Sequence, residues 1–158
     1  SLMDAIKQIS IFARNNPGQI ERITHILAEQ KINILAITIA SSGEFGVIKF
    51  LVDQCEKAYE CLKSEGMTVS LNDVLAIKLT DKPGGLYKVA KILRERKVNI
   101  DNAYMFVQES RKQGYLMIEV KDINKSMELL KGEKLQYLKK KDCYPRTKKP
   151  VKSSQSGK

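Results

Sequence analysis

The sequence has one histidine, three cysteines and no apolar run near the ~20 residues that would span a bilayer. Each shortage removes a class of function. His25 stands between the apolar positions of a helical stripe, the place of a solvated helix residue, and no serine or cysteine pairs with it by spacing. Nucleophilic catalysis therefore lacks its usual base. Cys55, Cys61 and Cys143 contain no CxxC and no Cys/His ligand spacing, so no metal site is expected and reduced thiols in a cytoplasm are. No P-loop and no GxGxxG occurs, and Gly84-Gly85 alone is not a phosphate cradle, so no cofactor is expected either. With no h-region at its start, the chain is expected to be soluble and cytoplasmic, without a membrane partner. Ser1-Leu2 ahead of Met3 reads as an expression remnant.

What is present suffices for a folded protein. At 158 residues and 42% apolar content, the chain can bury a core in one domain or in two small ones. Its formal charge of +10 would suggest a polyanion partner if it were spread over the fold. Lys139–Lys158, however, holds eight Lys/Arg and one Asp, a balance of +7, which leaves an ordinary +3 elsewhere. That run, KKKDCYPRTKKPVKSSQSGK, has Pro and Ser and almost nothing to pack; residues 143–158 are expected to form a basic disordered tail.

The dominant feature is an internal repeat. NNPGQIERITHILAEQKINI, Asn15–Ile34, returns 66 positions later as DKPGGLYKVAKILRERKVNI, Asp81–Ile100, with 8 of 20 positions identical. Alternation at Ile9, Ile11 and Ala13 predicts a strand, and Asn16 a helix N-cap with Pro17 at the first helical position. Ile20, Ile23, Ile26 and Leu27 form one helical stripe. Asn33 is expected at the left-handed helix stop. Leu35, Ile37 and Ile39, then Val47 to Val52, read as a hairpin, QCEKAYECLKSEG as a second helix, and Met67 to Leu71 as a fourth strand. The second copy repeats the order. Leu75, Ile77 and Leu79 predict a strand, and Leu86, Val89, Ile92 and Leu93 a helix. Ala103, Met105 and Val107 pair with Leu116, Ile118 and Val120; INKSMELLKG is a helix and EKLQYL a last strand. The fold class is α+β: two ferredoxin-like βαββαβ units, 3–72 and 73–142, with antiparallel sheets side by side.

A strand, [Asn/Asp]-x-Pro-Gly, an amphipathic helix and an x-Asn-Ile exit fifteen residues after the Gly resembles the ACT domain, the regulatory module found on amino-acid-metabolising enzymes. Both copies carry it, and the likeness spans residues 7 to about 138 with no catalytic domain attached. The resemblance implies a stand-alone, non-enzymatic tandem protein that binds an amino acid or related metabolite between ACT units and modulates a metabolic enzyme, as a homodimer. The chemistry suits a zwitterion on its own terms. A helix N-terminus offers unpaired N–H groups to a carboxylate, and glycine permits close approach. Asn15 or Asn33, and Asp81 or Asn99, supply acceptors for an ammonium. The candidate ligand-binding residues are Asn15, Gly18, Gln19, Ile20 and Asn33 in the first copy, and Asp81, Gly84, Gly85, Leu86 and Asn99 in the second. Asp81 in place of Asn15 would repel a carboxylate, so the two sites are expected to differ.

Two other readings use the same residues. Pro-Gly before a helix is also an ordinary turn, and ACT-like units can serve as dimerisation or docking modules without a ligand. The βαββαβ order also builds RNA-binding modules that stack bases on an open sheet face. Tyr104, Phe106, Tyr115 and Met117 would lie on that face here, and Phe12 in the first copy. Neither copy matches the RNA-binding signature, so nucleic acid is not the expected partner, and aromatics there more often mean packing against another sheet.

Overall fold

A computed structural model describes residues 5–143. The order is β1 (Ile6–Arg14), α1 (Gln19–Glu29), β2 (Ile34–Ser42), β3 (Phe45–Val52), α2 (Cys55–Ser64), β4 (Thr68–Leu79), α3 (Gly85–Glu95), β5 (Asn102–Gln108), β6 (Gln113–Glu119), α4 (Ile123–Leu130) and α5 (Lys140–Cys143). All strand pairings are antiparallel, in one six-stranded sheet of order β2-β3-β1-β4-β6-β5. The expected fourth strand of the first unit and first strand of the second are one uninterrupted strand. Its residues Thr68–Val74 pair with β1 and Leu75–Leu79 with β6, so the division drawn at 72/73 falls inside β4.

The period-2 alternation of β4 builds three layers. Its odd residues Val69 and Leu71 join Ile9, Ile11, Phe50, Ile23 and Leu27 beneath α1 and α2. Leu75, Ile77 and Leu79 pack with Val89, Leu93 and Leu130 beneath α3 and α4. The even residues Val74 and Ala76 face the other way, into a third cluster with Leu51, Phe106, Tyr115 and Met117. The sheet is rolled: its two outer strands, β2 and β5, touch each other. The open faces of the two units therefore press together inside the roll, with helices outside. Side by side holds along β4, and the faces close on one another beyond it.

A polar bridge crosses this inner layer. The Tyr104 hydroxyl donates to Gln8 Oε1 (2.9 Å), and Gln8 Nε2 donates to Glu119 Oε2 (3.3 Å), which also holds the Lys49 ammonium. Gln8 is fully buried, so without these partners its amide would cost about 1–3 kcal/mol. Burial, with the Glu119 carboxylate nearby, pushes the Tyr104 hydroxyl well above the usual tyrosine range.

Several expectations change at element ends. The last strand, EKLQYL, reduces to an Ile77–Tyr137 bridge, with Lys78 N–H donating to Gln136 O and Leu138 N–H to Ala76 O. At the basic end the described chain runs to Cys143, the first residue of the expected tail. Lys140–Cys143 forms α5, Cys143 is buried in the inner layer, and Gln108 Nε2 donates to Asp142 O (2.6 Å). The rest of the expected tail, 144–158, lies outside the described residues. The longer second hairpin holds a single 3-10 turn, Glu109–Arg111, followed by left-handed Lys112.

Candidate functional site

The two Pro-Gly corners share one geometry. Gly18 (φ 88, ψ −10) and Gly84 (φ 89, ψ −5) are left-handed. Asn16 O accepts from Gln19 N–H (3.3 Å), and Lys82 O from Gly85 N–H (3.1 Å). Proline at the second position, left-handed glycine at the third and a bond from first to fourth make each corner a type II turn. The expected Asn16 N-cap with Pro17 in the helix is therefore corrected. Gly18 and Gly84 are the caps, no side chain caps either helix, and Pro17 sits in the turn. Glycine is required because φ near +90° strains any residue with a Cβ.

Uncapped, α1 and α3 leave first-turn N–H groups without intrahelical acceptors: Ile20 and Glu21 in one, Leu86 and Tyr87 in the other. The corners are open. A Cβ placed on Gly18 or Gly84 would meet nothing within 4 Å. Gly85 differs. A Cβ there would lie 2.4 Å from Thr80 O, so this glycine serves the close seating of α3 on the end of β4.

Each unit brings its corner residues together and holds its asparagine away. Asn15, Gly18, Gln19 and Ile20 gather at the first corner, and Asp81, Gly84, Gly85 and Leu86 at the second. Asn33 and Asn99 lie past the far ends of α1 and α3, each eleven residues or about 16 Å long. Neither asparagine is the left-handed helix stop. Lys31 and Lys97 are, both at φ 57. Ile32 N–H donates to Leu27 O and Lys31 N–H to Ala28 O; Val98 and Lys97 repeat this on Leu93 and Arg94, the Schellman pattern. Asn33 exchanges backbone bonds with Asp53, donating to Oδ1 (2.9 Å) and accepting from its N–H (3.1 Å), while its side chain is exposed.

The second corner opens on a cleft of about 690 Å³ between the end of β4, the first turn of α3 and the β5–β6 hairpin. Leu79, Leu86, Met105 and Val107 are its apolar walls, with Asp81, Lys82, Glu109 and Lys112 beside them. Sequence reasoning treated Met105 and Val107 as ordinary strand residues. Their alternation placed them on the helix-side face, but β5 is an outer strand that α3 does not cover.

The remaining chemistry is quiet. Burial, with Glu56 adjacent, pushes the Cys55 thiol up to about 11, and burial pushes Cys143 up to about 12, so both are protonated at neutral pH. His25 is exposed, 3.9 Å from Glu29 one turn along α1. Phe106, Tyr115 and Met117 are buried between the units and unavailable for base stacking, whereas Phe12 stays exposed against Phe45 (5.2 Å). No helix among the described residues is long and apolar enough to cross a membrane.

The family profile described as "ACT domain pair" matches residues 4–145. The crystal structure of protein BT0572 from Bacteroides thetaiotaomicron is similar at 33% identity and a TM-score of 0.79, covering 89% of this chain and 96% of that one. The ligand-free regulatory subunit of aspartate kinase from Thermus thermophilus shares the fold at 19% identity and a TM-score of 0.56, covering 82% and 93%. The corresponding subunit from Thermus flavus does so at 17% and 0.52, covering 80% and 91%. No curated protein sequence matches significantly. The chain belongs to the ACT domain pair family.

Proposed function

We propose that this ACT domain pair is a non-catalytic regulatory protein that binds a free amino acid or related metabolite at its Pro-Gly corners and modulates an amino-acid-metabolising enzyme. The observation that carries this reading is the state of the corners: open above Gly18 and Gly84, with no side chain capping the first-turn N–H groups. A carboxylate takes those donors. The ammonium takes an oxygen of Asn15 or Asp81, or of Asn33 or Asn99. Because the helices hold Asn33 and Asn99 away from their own corners, these two serve a corner only across a seam with another unit. The units are drawn at 3–72 and 73–142, and a second copy of the chain supplies the facing surface. Exposed Ile37 and Ile39 on β2 are the apolar patch such a homodimer would cover. The free thiols at Cys55, Cys61 and Cys143 suit the cytoplasm. The ligand acts by preferring one arrangement of units over another.

The experiment is a screen of all the common amino acids by melting shift, followed by calorimetry. A ligand at a hundred times its Kd stabilises by about 2.7 kcal/mol, a rise of roughly 5–11 °C in Tm for a chain of this size. Asn15→Ala or Asn33→Ala should weaken binding. Silence across the panel, with no metabolite carried through purification, would leave a pure docking module. The exposed apolar residues of β2 favour that second reading, and a pull-down recovering one enzyme regardless of added amino acid would support it.

A further inference from the structure

We propose that the cleft at the second corner selects a neutral amino acid with an aliphatic side chain, and that Leu86, Met105 and Val107 are the residues that read it. This rests on the reading that a free amino acid binds at the corners.

The walls of the cleft come from three elements. Leu79 forms the buried floor at the end of β4. Leu86 on the first turn of α3 is 47% exposed, and Met105 and Val107 on β5 are 56% and 64% exposed. Three large apolar side chains around one concavity are where a ligand's hydrocarbon would recover burial that the fold itself does not supply. Gly114, paired with Val107 across the hairpin, keeps the space open: a Cβ there would meet nothing within 4 Å.

The charges around the cleft suit the head group of such a ligand. Asp81 and Lys82 come from the corner, and Glu109 and Lys112 from the hairpin turn. They balance, and none of the four makes an ion pair among the described residues. Charged groups of both signs beside the cleft complement the carboxylate and ammonium of a zwitterion. The selection rests on the wall itself, where Leu79, Leu86, Met105 and Val107 reward a hydrocarbon side chain with burial and offer a charged one no polar atom.

The first unit does not repeat this wall. Displaced by the 66-residue repeat, Leu79, Leu86, Met105 and Val107 correspond to Ala13, Ile20, Ile39 and Ser41. Two of the four are smaller, and one is a hydroxyl. The glycine matching Gly114 is Gly46, where a Cβ would stand only 3.3 Å from Ala40 O, so the floor is tighter. Side-chain selection therefore belongs to the second corner.

The test is calorimetry of the full chain with alanine, valine, leucine, isoleucine and methionine, against serine, aspartate and lysine. The expected result is affinity rising from alanine by about fourfold for each methylene, to the limit of the cleft. Met105→Asp and Val107→Asp should each weaken leucine binding at least about tenfold. Unchanged circular dichroism and Tm would show that these exposed positions still fold. Met105→Leu should retain binding. Tight binding of serine, aspartate or lysine, or leucine affinity indifferent to both aspartate variants, overturns the selection while leaving amino-acid binding intact. Failure of every amino acid overturns both.

Discussion

Replacing Glu119 with leucine removes the acceptor that holds Lys49 and Gln8 between the two units. The Lys49 and Glu119 side chains are only 17% and 22% exposed, so the ion pair sits largely out of water. Breaking a fully buried pair costs about 3–5 kcal/mol, because the surviving charge loses its partner and recovers no solvent. Here the long lysine stem can carry its ammonium part of the way to water. About 2–3 kcal/mol is therefore expected for Glu119→Leu, and a similar loss for Lys49→Met, which strands the carboxylate. The double variant leaves no stranded charge but still deprives the buried Gln8 Nε2 of its acceptor, so it should lie about 1–2 kcal/mol below the parent, well short of the sum of the two single losses. Urea denaturation of the four proteins closes the cycle, with a coupling of at least about 2 kcal/mol expected. Single variants within about 0.5 kcal/mol of the parent, with additive effects, would place the pair in solvent. The rolled sheet would then be wrong.

Four further outcomes follow from the corners, helix ends and thiols. Gly85→Ala forces a Cβ to 2.4 Å from Thr80 O; a loss of about 1–3 kcal/mol in urea is expected, against the roughly 1 kcal/mol gain alanine normally brings to a helix. Lys97→Gly relieves a left-handed lysine at φ 57 and should stabilise by about 1 kcal/mol; a loss would show that the helix stop is drawn wrongly. Cys55 and Cys143 have folded pKa values raised to about 11 and 12 from the ordinary 9.0. Their contribution is whole below pH 9 and lost as pH rises towards 11–12, because the unfolded thiols ionise first. Tm should fall across that window and fall less in Cys143→Ala. Half-buried Cys61 should be alkylated before either of the others in the native protein.

The repeat made the fold legible. Within one helix turn, Ile23 with Leu27 and Val89 with Leu93 state which face is buried, and period-2 alternation states it for the strands. The aromatic set Tyr104, Phe106 and Tyr115 announced a covered face, and the cover is the other unit. Helix caps were misread because Asn16 and Asn33 are good cap residues by type, whereas the structure places glycine and lysine where φ is positive. Local preference yielded to the turn and to the apolar Ile32–Leu27 and Val98–Leu93 closures. The cleft was invisible for a different reason. Met105 and Val107 have the pattern of core residues, and only the strand order, with β5 outermost, leaves them uncovered.

Thr68–Leu79 completes one half of the molecule and begins the other without a break. Such a chain has no joint at which to be divided. A cut at its middle would deprive each half of a strand, and neither could close its apolar layer. The second corner leaves one end of that rod, and β1, which leads into the first corner, is hydrogen-bonded along its other end, so a twist of the rod is felt at both corners without a tether between them.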